Sequence, residues 1–121
     1  MAESHDLGQK GEEIAVSHLK DKGYRILHRN WKSGKKELDI VAENNEYIVF
    51  TEVKTRGYDM KLQPRDLVPP DKQKMLIYAA DDYIRRYNIS KESRFDVITV
   101  IFRGKEFEID HIESAFYPTL R

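Results

Sequence analysis

Two carboxylates and a lysine lie at the ends of two apolar stretches. Asp39 directly precedes the run 40–42, and Glu52 follows the run 47–51, with Lys54 two residues later. Acidic residues are uncommon within strands, and two neighbouring carboxylates need a compensating positive charge. A divalent cation would supply it, since carboxylate oxygens are ligands that Mg²⁺ and Mn²⁺ favour. The three side chains therefore predict metal-assisted chemistry on a phosphate group.

The Glu-Asn-Asn-Glu sequence between the two runs predicts a tight turn. Residues 36–42 and 47–54 should therefore pair as an antiparallel hairpin. With the turn centred on its two asparagines, Glu52 lies opposite Glu37, and Asp39 and Glu52 become diagonal neighbours on one face. We expect the other face of the hairpin to be core, formed by Leu38, Ile40, Ala42, Tyr47, Val49 and Val53.

Lys54 has two interpretations. It can position an attacking water or neutralise charge that develops on a phosphate, and the neighbouring carboxylates should keep it protonated. It can also form a cross-strand salt bridge with Glu37 or Glu52, the common role of a Glu-x-Lys pattern on a strand. The preceding Asp39 and the polar face of the hairpin favour the first interpretation.

A third acid comes from the predicted first helix, residues 6–22, which a capping box opens and Gly23 ends. At about 100° per residue, Glu12 lies on the inward stripe and Glu13 points away from it. Glu12 could complete the metal site or bind a water ligand, but a capped glutamate at the edge of the stripe has the same phase. The inward stripe contains Gly8, Glu12, Ala15 and Leu19.

The remaining pattern predicts an α/β fold in the order α-β-β-β-α-β-β, a small mixed sheet covered by helices. A second helix should span 71–87, with an inward stripe of Leu76, Ala79, Ala80, Tyr83, Ile84 and Tyr87. The five strands are predicted at 24–31, 36–42, 47–54, 94–102 and 106–111. Residues 55–70 hold three prolines without periodicity, which favours a mobile loop. A length of 121 residues favours a single domain, 1–121.

The overall composition excludes several classes of protein. Cysteine is absent, so there is neither a disulfide framework nor a cysteine-ligated zinc. No apolar run is long enough to cross a membrane and no signal-peptide pattern opens the sequence, so we expect a cytoplasmic protein with no membrane partner. The 21 basic and 21 acidic residues balance, which argues against a general nucleic-acid binder.

Although the charges sum to zero, positive and negative residues are grouped in separate segments of the sequence. Charged residues are basic over 25–36, acidic over 37–52 and mainly basic over 54–74. An acidic patch between basic segments suits a bound polyanion, although ordinary solvated surface charge gives the same order. Lys72 also lies in the first turn of the second helix, where a bound phosphate would offset its unfavourable position. The candidate nucleic-acid contacts are Arg29, Lys35, Lys36, Arg56 and Lys72.

An acid on one strand, Glu-x-Lys on the next strand and a preceding helix with a glutamate together resemble the PD-(D/E)XK nuclease superfamily. Within that superfamily the sequence is similar to a bacterial YraN-like family, itself similar to archaeal Holliday-junction resolvases. The motifs of the family resemblance include Gly8-x-x-Gly11-Glu12, Arg29-Asn30, Glu37-Leu38-Asp39-Ile40-Val41-Ala42, Glu52-Val53-Lys54-Thr55-Arg56 and Arg94-Phe95-Asp96-Val97. The resemblance implies a restriction-endonuclease-like core that hydrolyses DNA with Mg²⁺ or Mn²⁺. The implied roles are metal ligation by Asp39, Glu52 and the Val53 carbonyl, an accessory role for Glu12, and catalysis by Lys54.

Two other functions stay open at this point. The same fold could serve as a catalytically weak or silent module that binds nucleic acid or a partner, or it could be purely structural. Branched or single-stranded DNA is the substrate that the resemblance favours. Cutting both strands of a duplex would favour a two-fold homodimer.

Overall fold

The computed structural model describes residues 2–58 and 68–118, with side chains described from residue 7 onward. These residues form two helices and five strands in the predicted order. The elements are α1 (Ala2–Asp21), β1 (Arg25–Ser33), β2 (Lys36–Glu43), β3 (Tyr47–Gly57), α2 (Pro70–Arg86), β4 (Glu92–Arg103) and β5 (Glu106–Phe116). The α/β class predicted from the sequence is confirmed.

The five strands form one mixed sheet in the order β1-β2-β3-β4-β5. The pairs β1–β2, β2–β3 and β4–β5 are antiparallel, whereas β3 and β4 are parallel. Two parallel neighbours require a crossover connection, and the segment that contains α2 provides it. The long parallel pairing between β3 and β4 makes β3 a central strand, so the side chains at its end have a fixed support.

Several boundaries differ from the prediction. α1 begins at Ala2, so the predicted capping box lies inside the helix and does not start it. β3 continues to Gly57 because it stays paired with β4 as far as Phe102, so residues 55–57 are strand and not loop. Residues 59–67 of the predicted mobile loop lie outside the described part of the chain. β5 continues past its predicted end at residue 111 as far as Phe116, which pairs with Phe95 on β4.

Both faces of the sheet are buried, each beneath one helix. On one face α1 contributes Ala15, Val16 and Leu19 to a cluster with Ile40, Ala42, Val49, Ile98 and Val100. On the other face α2 packs its buried side chains Leu76, Ile77, Ala79, Ala80 and Tyr83 against Val41, Ile48, Phe50, Phe95 and Val97. The prediction that only one face of the hairpin is core is therefore wrong, because a helix covers each face.

The predicted inward stripe of α2 is correct at four positions. Ile77 is also buried, although the predicted stripe omits it, and Ile84 is only partly buried. Tyr87 follows the helix as its C-cap and is 41% exposed, so its predicted place in the core is wrong.

In the described part of the chain, neither helix combines the length and the apolar character that a membrane crossing requires.

Candidate functional site

The β2–β3 hairpin places Asp39 and Glu52 side by side. The hydrogen-bonded ladder ends with the pair Ile40–Thr51, and the two acids are the next residue along each strand. The predicted register placed Phe50 opposite Asp39, whereas Phe50 pairs with Val41, a shift of two residues. Because side chains alternate, an even shift of register does not by itself move a side chain to the other face. The shared face is thus as predicted, while the diagonal arrangement is wrong.

The turn explains the change of register. The Asn44 side-chain oxygen accepts hydrogen bonds from the backbone N–H groups of Glu46 at 2.9 Å and Tyr47 at 2.7 Å. The Asn44 backbone N–H also donates to the Tyr47 carbonyl oxygen at 3.0 Å. Asn44 therefore faces Tyr47, and the turn is centred on Asn45 and Glu46, one residue later than predicted. This displacement of the turn by one residue places Asp39 directly opposite Glu52.

The negative charge of Glu52 disfavours ionisation of Asp39. Burial and the charge of Glu52 raise the pKa of Asp39 to about 7, and the charge of Glu12 and a hydrogen bond with Glu52 add to the rise. The Val53 backbone N–H donates to Asp39 Oδ2 at 2.9 Å and opposes this shift. An acid pair of this kind is stabilised by a proton or by a cation.

The pair opens into a groove of about 970 Å³ between the first half of α1 and the ends of β1, β2 and β3. The structure therefore brings together the four residues that the sequence singled out for chemistry, although they come from three separate elements. The groove is lined by Gly8, Gln9, Glu12, Arg29, Asn30, Lys32, Glu37, Asp39, Glu52, Val53, Lys54, Thr55 and Arg56.

Glu12 reaches the groove because α1 lies very close to β3. A Cβ atom on Gly11 would come within 2.3 Å of Thr55 Oγ1, so only glycine allows this approach. Glu12 Oε1 accepts a hydrogen bond from Asn30 Nδ2 at 3.1 Å and lies 3.9 Å from an Arg29 guanidinium nitrogen. Glu12 is therefore held at the wall of the groove by β1.

Asn30 is a residue of the site that the sequence analysis missed. Its φ of 52° is the left-handed region, which asparagine tolerates better than most residues. Nearby on β2, Leu38 packs on the α2 side of the sheet and Ile40 on the α1 side, so the strand changes face around Asp39. The predicted place of Leu38 beside Ile40 is therefore wrong. For Asn30, the available signal in the sequence was the Arg29-Asn30 pair of the family resemblance.

Three of the five predicted nucleic-acid contacts lie at the groove or at the acid pair, and Lys35 and Lys36 do not. Arg29 and Arg56 line the groove, together with Lys32, which the prediction omitted. Lys72 reaches Glu52 from the first turn of α2, with Nζ 3.3 Å from Oε2.

Lys35 and Lys36 do not line the groove. Lys35 lies in the turn between β1 and β2. Lys36 Nζ is 3.2 Å from Asp82 Oδ2 and 5.9 Å from the centre of the Tyr78 ring. The structure therefore ties Lys36 to the outer side of α2, away from the acid pair.

The oxygen ligands present suit a hard cation, but they are few. Among the side chains of residues 7–58 and 68–118, no three or more of His, Asp or Glu are grouped to hold a metal ion. Asp39 and Glu52 supply two carboxylates, and Val53, whose backbone N–H bonds to Asp39, lines the same groove. This set fits Mg²⁺ or Mn²⁺, which accept one or two carboxylates and complete their shell with water and phosphate oxygens. The Glu12 carboxylate is already bonded to β1.

A second cluster of charged and polar groups surrounds Asp96 on β4 and β5. Asp96 is 1% exposed and its carboxylate bonds to Arg94 at 2.8 and 2.9 Å, to His111 Nε2 at 2.8 Å and to the Ser114 N–H at 3.1 Å. Burial would raise the pKa of Asp96, but these bonds outweigh it and hold the pKa below its usual value. His111 Nδ1 lies 3.0 Å from His18 Nε2 on α1. This cluster ties two strands to a helix and is satisfied internally.

Comparison with known proteins gives a consistent result. Residues 11–100 match the model of the uncharacterised protein family UPF0102. A UPF0102 protein of Bacteroides thetaiotaomicron is 48% identical over 120 residues, and one of Phocaeicola vulgatus is 46% identical over 120 residues, each alignment covering 99% of both chains. A UPF0102 protein of Flavobacterium psychrophilum is 44% identical over 117 residues, or 97% of this chain and 98% of its own. The chain therefore belongs to the UPF0102 family.

Proposed function

We propose that the protein is a metal-dependent endonuclease of the PD-(D/E)XK superfamily that hydrolyses phosphodiester bonds in DNA. The observation that carries the proposal is the contact between the Asp39 and Glu52 carboxylates in a groove that Lys54 also lines. This pair gains from a cation, and a basic rim of Arg29, Lys32 and Arg56 is suited to the phosphates of DNA.

The side chains of the groove have distinct roles in this proposal. Asp39, Glu52 and the Val53 carbonyl would hold Mg²⁺ or Mn²⁺, which when bound polarises a phosphoryl oxygen and lowers the pKa of water. Lys54 neutralises the charge that develops on the phosphate and orients the attacking water. Glu12, held by Asn30, provides an additional hydrogen-bond acceptor for that water.

A cleavage panel tests the proposal directly. Linear, single-stranded, flapped and four-way DNA should be incubated with the protein and either Mg²⁺, Mn²⁺ or a chelator. We expect cleavage with metal only, no detectable cleavage by Asp39→Ala, and about a 10²–10³-fold lower rate for Lys54→Ala. Glu12→Ala should lower the cleavage rate, and Glu13→Ala is its matched control, because Glu13 lines a separate groove beside β5. Equal cleavage by the wild type and Asp39→Ala would exclude the assignment.

A second candidate function is a nucleic-acid-binding or partner-binding module on the same fold. It is favoured by the ion pair between Lys72 and Glu52, which engages one carboxylate of the pair with a side chain of the protein. Such a module would bind DNA equally with metal or chelator and would cut none of the panel. Its affinity would fall steeply with salt concentration, because phosphate contacts release counterions.

A further inference from the structure

The Glu52 carboxylate of the acid pair forms an ion pair with a lysine of α2, the helix on the opposite face of the sheet from α1. Lys72 Nζ lies 3.3 Å from Glu52 Oε2. The Glu52 side chain is 13% exposed and belongs to a central strand, whereas the Lys72 side chain is 42% exposed on a flexible stem. If the two separate, Lys72 is therefore the partner that moves.

The position of Lys72 in its helix favours an anion nearby. It lies in the first turn of α2, where the helix dipole is unfavourable for a cation. The N-cap residue, Pro69, makes no side-chain hydrogen bond to the helix. Asp71 in the same turn and Glu52 on β3 supply negative charge, and a phosphate beside this turn would contact both Lys72 and the helix end.

We propose that Lys72 is an internal counter-ion of Glu52 that gives way when a divalent cation binds and then binds a phosphate of the nucleic acid. The inference rests on the proposed function, because it takes Glu52 as a metal ligand. Two cations on one carboxylate repel each other, so the lysine and the metal compete. By linkage, metal binding then strengthens DNA binding through Lys72, and DNA binding strengthens metal binding by the same factor.

Calorimetry with Mn²⁺ tests the competition. The Lys72→Gln protein, which keeps most of the side-chain length but loses the charge, should bind Mn²⁺ at least about fivefold more tightly than the wild type. Lys74→Gln is the matched control, since Lys74 is an exposed lysine of the same helical turn. Lys74→Gln and the charge-keeping Lys72→Arg should both stay close to the wild-type affinity. Circular dichroism of each variant confirms that it is folded.

Fluorescence anisotropy tests the hand-over to phosphate. DNA affinity is measured with chelator and with Ca²⁺, with the integrity of the DNA checked on a gel. We expect Ca²⁺ to increase the DNA affinity of the wild type by roughly 5–150-fold and to have a much smaller effect on Lys72→Gln.

The outcomes separate this inference from the proposed function. Unchanged or weaker Mn²⁺ binding by Lys72→Gln overturns the inference and leaves the nuclease proposal standing. An unchanged gain in DNA affinity with Ca²⁺ in Lys72→Gln also overturns it. Wild-type protein that binds Mn²⁺ more weakly than Lys72→Gln but cuts no DNA supports the inference and overturns the nuclease. No Mn²⁺ binding by either protein overturns both.

Discussion

Asp39 and Asp96 lie on neighbouring parts of one sheet, but the surroundings of Asp39 disfavour a negative charge and those of Asp96 stabilise it. Thr51, next to Glu52, pairs directly with Asp96 on β4. Asp39 meets burial and a second carboxylate, which raise its pKa to about 7. Asp96 is almost fully buried, but His111, Arg94 and the Ser114 N–H bond to it and keep its pKa low. Burial of an acid alone therefore does not mark a candidate site, whereas burial beside a second carboxylate does.

The comparison predicts that the two acids have opposite effects on stability, and the largest change is expected at Asp96. Asp96→Ala leaves the nearly buried Arg94 guanidinium without its carboxylate. Removing one partner of a buried pair typically costs about 3–5 kcal/mol, so we expect a loss of that order in the free energy of unfolding. Denaturant unfolding followed by circular dichroism measures it.

The control for this prediction is Glu108→Ala on β5. Glu108 also forms an ion pair, with Arg103 at 2.9 Å, but both side chains are about half exposed. Its loss should cost less than about 1 kcal/mol. If Asp96→Ala were no more destabilising than Glu108→Ala, the view that Asp96 is a structural acid would be wrong.

The next largest effect concerns the packing that carries Glu12 to the groove. Gly11→Ala should destabilise the protein by about 1–3 kcal/mol, because the new methyl group would collide with Thr55 Oγ1. Gly8→Ala is the matched control in the same helix, since no described atom lies within 4 Å of its added Cβ. It should be neutral or stabilise by up to about 1 kcal/mol through helix propensity. The measurement is denaturant unfolding of both variants.

A double-mutant cycle gives this prediction a sharper form. Thr55→Ala removes the hydroxyl that meets the new methyl group, so Gly11→Ala should cost much less in that background. Equal costs in both backgrounds would show that the close approach of α1 to β3 does not explain Gly11.

Asp39 should show the opposite sign of effect to Asp96. Its pKa is higher in the folded protein than the usual 3.8, so the folded state keeps a proton that the unfolded chain releases between about pH 4 and pH 7. Stability in metal-free buffer therefore falls as pH rises through that window. Asp39→Asn removes this dependence and should stabilise the protein by on the order of 1 kcal/mol above pH 7.

The pH dependence also distinguishes the two acids. The contribution of Asp96 is fully present above its unfolded pKa, near 4, and is lost only as the pH falls towards its lower folded pKa. Unfolding measured at pH 5 and pH 8 with chelator should therefore respond to Asp39→Asn, with the exposed Glu13→Gln as the control. If the contribution of Asp39 to the free energy of unfolding instead increased from pH 5 to pH 8, the raised pKa of Asp39 would be wrong.

Much of the fold and of the groove follows from local patterns in the sequence. Strand alternation places Asp39 and Glu52 on one face, helix phase separates Glu12 from Glu13, and Gly23 marks the end of α1. These signals depend only on neighbouring residues, so a single sequence carries them. The metal and DNA predictions rest instead on side-chain chemistry and on the family resemblance.

The features that local patterns missed depend on contacts between distant segments. The hairpin register is set by the Asn44 side chain, the length of β3 by its pairing with β4, and the environment of Asp96 by His111 on another strand. The residues near Asp96 in the sequence include Arg94 but give no sign that His111 will bond to its carboxylate. An almost fully buried acid can therefore be the one with more hydrogen-bond partners.

The smallest effect on stability, but a specific one on the groove, is expected at Asn30. Asn30→Gly keeps the left-handed backbone and loses only the hydrogen bond to Glu12, so stability should change by less than about 0.5 kcal/mol. Asn30→Ala must adopt the same φ with a Cβ atom and should cost about 1 kcal/mol more. If the groove uses Glu12 as proposed, Asn30→Gly should cut DNA more slowly while unfolding like the wild type. A variant that retains full cleavage would remove Glu12 from the site and leave Asp39, Glu52 and Lys54 as its functional core.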